Sequence, residues 1–133
     1  MMQRILLMLL IPSILLAACA GSPVLDAEIN QFSFGEVVNG EIVSKDIVIK
    51  NTGASDLLIG DISTSCGCTK GELDRSTITP GETATLHITF DSGAHGPEFN
   101  GELVRQVFIP SNDPAAPETV IEFSATVLLP ESN

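Results

Sequence analysis

The chain has 133 residues, with 17 acidic and 6 basic side chains and a formal net charge of −11. So few cations on an acidic background make a poor phosphate binder, which excludes nucleic acid as a partner. Without Trp or Tyr, the usual stacking platforms for sugars and bases are missing, and six Phe are the aromatic stock.

The chain opens with a short positive start, Met1-Met2-Gln3-Arg4. An apolar run from Ile5 to Leu16 follows, and then Ala17-Ala18-Cys19. This is the three-part layout of a secretory signal. A spanning helix needs about 20 apolar residues, so the run is too short, and Pro12 interrupts it. Leu16-Ala17-Ala18-Cys19 resembles the lipobox of bacterial lipoproteins, in which the thiol receives diacylglycerol and the signal is cut just before it. That resemblance implies a signal peptide over 1–18 and a mature chain lipidated on Cys19. Ala20 resembles the default outer-membrane case, facing the periplasm. Loss of Arg4 leaves the mature chain still more acidic, so anionic membrane surfaces repel it and the lipid is the anchor. The acidity itself reads as solubility of an envelope protein.

Residues 19–27 read as a lipidated tether, 28–129 as one domain and 130–133 as a tail. Within the domain, short strand-like runs alternate with turn signals. Glu28 to Phe34 closes at Gly35. Ile42 to Lys50 carries Val43, Ile47 and Ile49 on one face, and Asn51-Thr52-Gly53 then turns the chain. Leu57 to Thr64 is the next run. Pro80-Gly81 precedes Thr83 to Phe90, which puts Leu86, Ile88 and Phe90 on one face and Thr85, His87 and Thr89 on the other. Leu103 to Ile109 is apolar on both faces in places and reads as a central strand. Ser111-Asn112-Asp113-Pro114 is a turn in which side chains bond backbone. Thr119 to Leu129 alternates again, with Ile121, Phe123, Ala125, Val127 and Leu129 inward. Period-two patterning throughout, with no sustained helical period, predicts an all-β immunoglobulin-like sandwich of about seven strands. Two facing sheets can hide that many apolar faces, whereas one cannot.

The order of motifs carries a further resemblance. Phe32-x-Phe34-Gly35, Gly40, Asn51-Thr52-Gly53 and Leu57-x-Ile59 lead to Ser65-Cys66-Gly67-Cys68-Thr69. Pro80-Gly81-Glu82 and Ser111-Asn112-Asp113-Pro114 follow. Over roughly residues 30–127 this resembles the bacterial family known as domain of unknown function 1573. The resemblance implies an exported, often lipidated protein. Its implied fold is similar to Hydin-type and major-sperm-protein immunoglobulin-like domains, which act mainly in interaction and assembly. It implies no mechanism.

The chemistry, if any, lies in Cys66 and Cys68, since Cys19 is committed to lipid. Three readings of the pair stay open in an oxidising, exported setting. A structural disulfide would close so short a loop that chain entropy contributes only ~1.5 kcal/mol. Along an extended strand two residues span roughly 6.6 Å between α-carbons, so Gly67 is expected to kink the backbone with positive φ. A redox pair needs a nearby cation to lower a thiol pKa, and Lys70 is the candidate. A copper or zinc site would need His87 or His95 to complete the shell. No grouping of Ser, His and acid marks a hydrolase, and no carboxylate pair marks acid–base work. The expectation is a lipid-anchored, non-catalytic envelope binding or assembly module. It needs no cofactor and meets an unidentified envelope protein. A thiol redox or metal-handling role is the alternative.

Overall fold

Strands that alternate apolar and polar residues bury one face each, and here those faces meet in two sheets. The computed structural model describes residues 21–132, in which ten strands and no helix are found. They are β1 Leu25–Ala27, β2 Gln31–Val38, β3 Ile42–Asn51, β4 Leu57–Leu58, β5 Ser63–Thr64, β6 Thr69–Leu73, β7 Thr77–Ile78, β8 Thr83–Asp91, β9 Gly101–Pro110 and β10 Glu118–Leu128. One four-stranded sheet has the order β1-β3-β8-β6 and the other β2-β10-β9-β5, with β4 and β7 forming a small pair alongside. The all-β sandwich is as expected, and the higher strand count reflects three strands of only two residues.

The core is the one that alternation dictates. Ile47 and Ile49 of β3, Leu86, Ile88 and Phe90 of β8, and Ile121, Phe123, Ala125 and Val127 of β10 are buried. The rings of Phe32, Phe34, Phe90 and Phe123 pack together, with neighbouring centroids between 5.1 and 6.2 Å. Each fully buried side chain of this kind contributes about 1.5–3 kcal/mol. Leu129 departs from the expectation: it lies past the end of β10, where the strand's alternation no longer holds, and is exposed.

Residues 21–27 also differ from the reading as a tether. Leu25–Ala27 form β1 and pair antiparallel with β3, Leu25 opposite Asn51. The Thr52 amide donates to Val24 and the Ala54 amide to Ser22, both at 3.0 Å. Gly53 makes this docking possible, since a Cβ there would sit 2.2 Å from the Ser22 carbonyl oxygen. The segment is too short, and too close to Pro23, for its sequence to read as a strand; pairing with β3 makes it one.

β2 runs parallel to β10, and the register slips between Ser124 and Thr126. Gly35, at φ 72°, lies in the extra stretch of β2. The left-handed conformation that this bulge needs favours glycine.

Candidate functional site

The Cys66-Gly67-Cys68 segment lies where the chain crosses from one sheet to the other. β5 pairs with β9 in the second sheet, and β6 pairs with β8 in the first. Between them the Thr69 amide donates to the Cys66 carbonyl at 3.1 Å, which closes a four-residue turn. The Thr64 hydroxyl spans the turn between the carbonyl oxygens of Cys66 and Thr69, at 2.9 and 3.1 Å. The Cys68 carbonyl accepts from the Asp91 amide at 2.8 Å and fixes the turn to the end of β8.

Within this turn Cys66 and Cys68 are joined as a disulfide, their α-carbons 5.2 Å apart. That separation lies inside the ordinary disulfide range. Gly67 is not among the positive-φ glycines, and the space around its missing Cβ is open. The expected left-handed kink is therefore absent: a turn of ordinary handedness already brings the two α-carbons together. The two sulfurs differ in setting. Cys66 is half-buried, whereas Cys68 is 4% exposed and belongs to the core cluster.

The two candidate histidines separate cleanly. His87, on the solvent face of β8, sits opposite Asp46 of β3 and hydrogen-bonds its carboxylate through Nδ1. It does not belong to the cysteine cluster, so as a metal ligand it is set aside: strand alternation points it at a cross-strand carboxylate. His95 does join the cysteines, with Nε2 3.6 Å from the Cys66 Sγ. The sulfur atoms and a ring nitrogen of Cys66, Cys68 and His95 lie within 4.8 Å of one another.

The loop after β8 is built to hold His95 there. The Asn39 side-chain amide donates to the carbonyls of Gly96 and Phe99 at 3.0 and 2.7 Å. The Ser92 hydroxyl faces the carbonyls of Val38 and Glu41 at 2.9 and 2.8 Å. The His95 ring packs on Phe99, centroids 5.0 Å apart.

Arg105 of β9 completes the cluster: its Nη2 donates to His95 Nε2 at 3.0 Å and its Nη1 to the Val104 carbonyl at 2.8 Å. Lys70, the cation expected from sequence, lies elsewhere. With Ile42, Gly67, Cys68, Thr89 and Asp91 it lines a cavity of about 150 Å³ on the Cys68 side. Cys19 lies outside the described residues, and no helix among those residues is long and apolar enough to cross a membrane.

A family model described as "Protein of unknown function (DUF1573)" matches residues 25–127. The chain belongs to that family. The match begins at β1, three residues before the domain start read from sequence. A DUF1573 domain of this shape is similar to a protein of unknown function from Porphyromonas gingivalis W83. That likeness has 27% identity and a TM-score of 0.72, and covers 78% of this chain and 46% of the other. The chain thus spans just under half the length of that protein. The PapD-like domain 7 of human CEP192 shares the fold at 11% identity and TM-score 0.58, covering 84% and 89% of the two chains. So does the YadV chaperone, at 14% identity and TM-score 0.59, covering 82% and 54%. No curated protein matches the sequence.

Arg105 is the residue of this DUF1573 site that sequence reading passed over. The signal was present. Leu103, Val107 and Ile109 set the inward parity of β9, and position 105 breaks that series with a charge.

Proposed function

We propose that this chain is a lipid-anchored, non-catalytic binding or assembly module of the cell envelope. Cys19 carries its lipid, and the domain faces the periplasm from the outer membrane. The observation that carries this reading is the open side of β2. The strand is eight residues long and, among the described residues, pairs only with β10. Such an edge offers backbone donors and acceptors to an extended segment of another protein, the basis of recognition by strand addition. The bulge at Gly35 bends the second half of β2 away, so the usable stretch is Gln31 to Phe34. The fold it shares with a chaperone and with a PapD-like domain agrees with an assembly role by analogy alone. The acidic surface favours a basic or neutral partner.

Two measurements test this. A photo-crosslinking residue at exposed Ser33 is expected to give one discrete adduct with an envelope protein in growing cells. The same residue at exposed Lys50, in the middle of the other sheet, should give none. Equal patterns from both positions count against strand addition. Cys19→Ser should abolish lipid labelling and move the chain out of the membrane fraction; labelling that persists would sink the anchor.

A further inference from the structure

We propose that Cys66 and Cys68 form an exchangeable dithiol–disulfide pair, with Arg105 holding the Cys66 sulfur as a thiolate when the pair is reduced. The inference is independent of the binding-module reading and rests on the placement of one cation. Arg105 shares the inward face of β9 with Leu103 and Val107. Its Nε is buried and has no hydrogen-bond partner among the described residues. Its other contacts are a carbonyl oxygen and the lone pair of His95 Nε2, and neither is a carboxylate. Among the described residues no Asp or Glu oxygen lies within 4.0 Å of it. Arg105 as a whole is half-buried and its Nη groups lie on the exposed side, so the missing counter-anion leaves a partly solvated positive charge beside the cysteine turn. Cys66, in contact with the same His95 nitrogen, is the group that becomes that anion on reduction. The disulfide carries no charge, so the local field favours the reduced pair.

The same geometry weighs against a metal ion. The nitrogen that would ligate it already accepts a hydrogen bond from the guanidinium, and the cation arriving at Cys66 and Cys68 would meet a second cation. An anion is what this corner of the molecule accommodates.

The exchange balances with a dithiol as co-reactant. A thiolate of the dithiol attacks the half-buried Cys66 sulfur, since Cys68 is shielded in the core. The Cys66–Cys68 bond breaks, and Cys68 leaves, taking the proton of the dithiol's second thiol. That second sulfur, now a thiolate, attacks its own partner sulfur in the mixed disulfide. Cys66 departs as a thiolate beside His95 and Arg105. The dithiol is oxidised by two electrons to its disulfide, and the protein pair is reduced by two.

The test uses the full chain purified in detergent, equilibrated with mixtures of reduced and oxidised dithiothreitol. The redox state of each cysteine is read by differential alkylation and peptide mass. Arg105→Gln is expected to shift the equilibrium about tenfold toward the disulfide and to slow iodoacetamide modification of reduced Cys66 about tenfold. Arg105→Lys keeps the charge and should restore most of both. A merely structural arginine would alter neither selectively. With glutathione as the probe, the mixed disulfide should form on Cys66. Equal redox equilibria for wild type, Gln and Lys variants overturn the proposal, as does an adduct confined to Cys68. Stoichiometric zinc that protects reduced Cys66 from alkylation overturns it in favour of a metal site.

Discussion

Asn51→Ala is expected to lower the unfolding free energy by about 3 kcal/mol, the largest single effect of any polar residue in the domain. Asn51 is fully buried, and its side chain uses its whole hydrogen-bonding capacity. Nδ2 donates to the carbonyls of Ser55 and Ile78, both at 2.8 Å. Oδ1 accepts from the amides of Val24 and Gly53, at 3.3 and 2.9 Å. One side chain therefore ties the N-terminal segment, the 51–55 turn and β7 together. Truncation leaves four backbone groups without this partner, the Ile78 carbonyl fully buried and the others partly so, and a domain of this size has only about 5–15 kcal/mol in total. The melting temperature should fall by roughly 10–15 °C. Asn51→Asp is the sharper comparison. It sets a carboxylate oxygen against two carbonyl oxygens, so it should destabilise at least as much as Ala despite its closer shape. Urea denaturation of the two variants checks this, and an Asp variant within about 1 kcal/mol of wild type would refute the network.

The second large effect is at Asp113, and it depends on pH. The carboxylate is buried and accepts from the Leu25 amide at 2.9 Å through one oxygen, and from Ala115 and Ala116 at 2.9 and 3.3 Å through the other. These donors, Leu25 first, hold its pKa below the usual carboxylate value of 3.8, against burial, which pushes it up. A carboxyl whose folded pKa is depressed contributes stability above its unfolded pKa and loses it as pH falls through the folded one. Wild type should therefore be insensitive here near neutrality and lose this contribution progressively below pH 3.8. Asp113→Asn is expected to cost about 2 kcal/mol at pH 7, because its amide would face the Leu25 N–H donor to donor. The difference from wild type should shrink as the pH is lowered through that range. A gap that is flat with pH would show that the ionised form plays no part.

Both residues sit in stretches that sequence reading correctly took for turns, and their longer reach was hidden there. Asn51 and Asp113 bond their own turns, which local chemistry predicts. They also reach Val24 and Leu25, which are far away in sequence. β3, β8 and β10 were legible because nine or more residues of period-two patterning leave little choice of face. β1, β6 and β7 were not. Thr69-Lys70-Gly71-Glu72-Leu73 has glycine and two charges in five residues, and only hydrogen bonding to β8 makes it a strand. At the site, the cysteines and His95 were visible as residue types. Their meeting depends on Asn39 holding a loop some sixty residues later in the chain, which no local pattern encodes.

The docking of residues 22–27 fixes more than a strand. β3 runs from Ile42, beside Gly67 and Cys68 in the cavity wall, to Asn51, which grips Val24. Ten residues of strand separate the two ends by roughly 30 Å. Two peptide units link Cys19 to Gly21 and reach at most about 7 Å. A lipid on Cys19 would thus plant the domain on a stub instead of a leash, with the Asn51 end of β3 near the anchor. The cysteine turn, at the other end of β3, would stand at most about 30 Å farther out. Upright on such a stub, the turn would meet a partner by the partner's reach and not by the slack of its own tether.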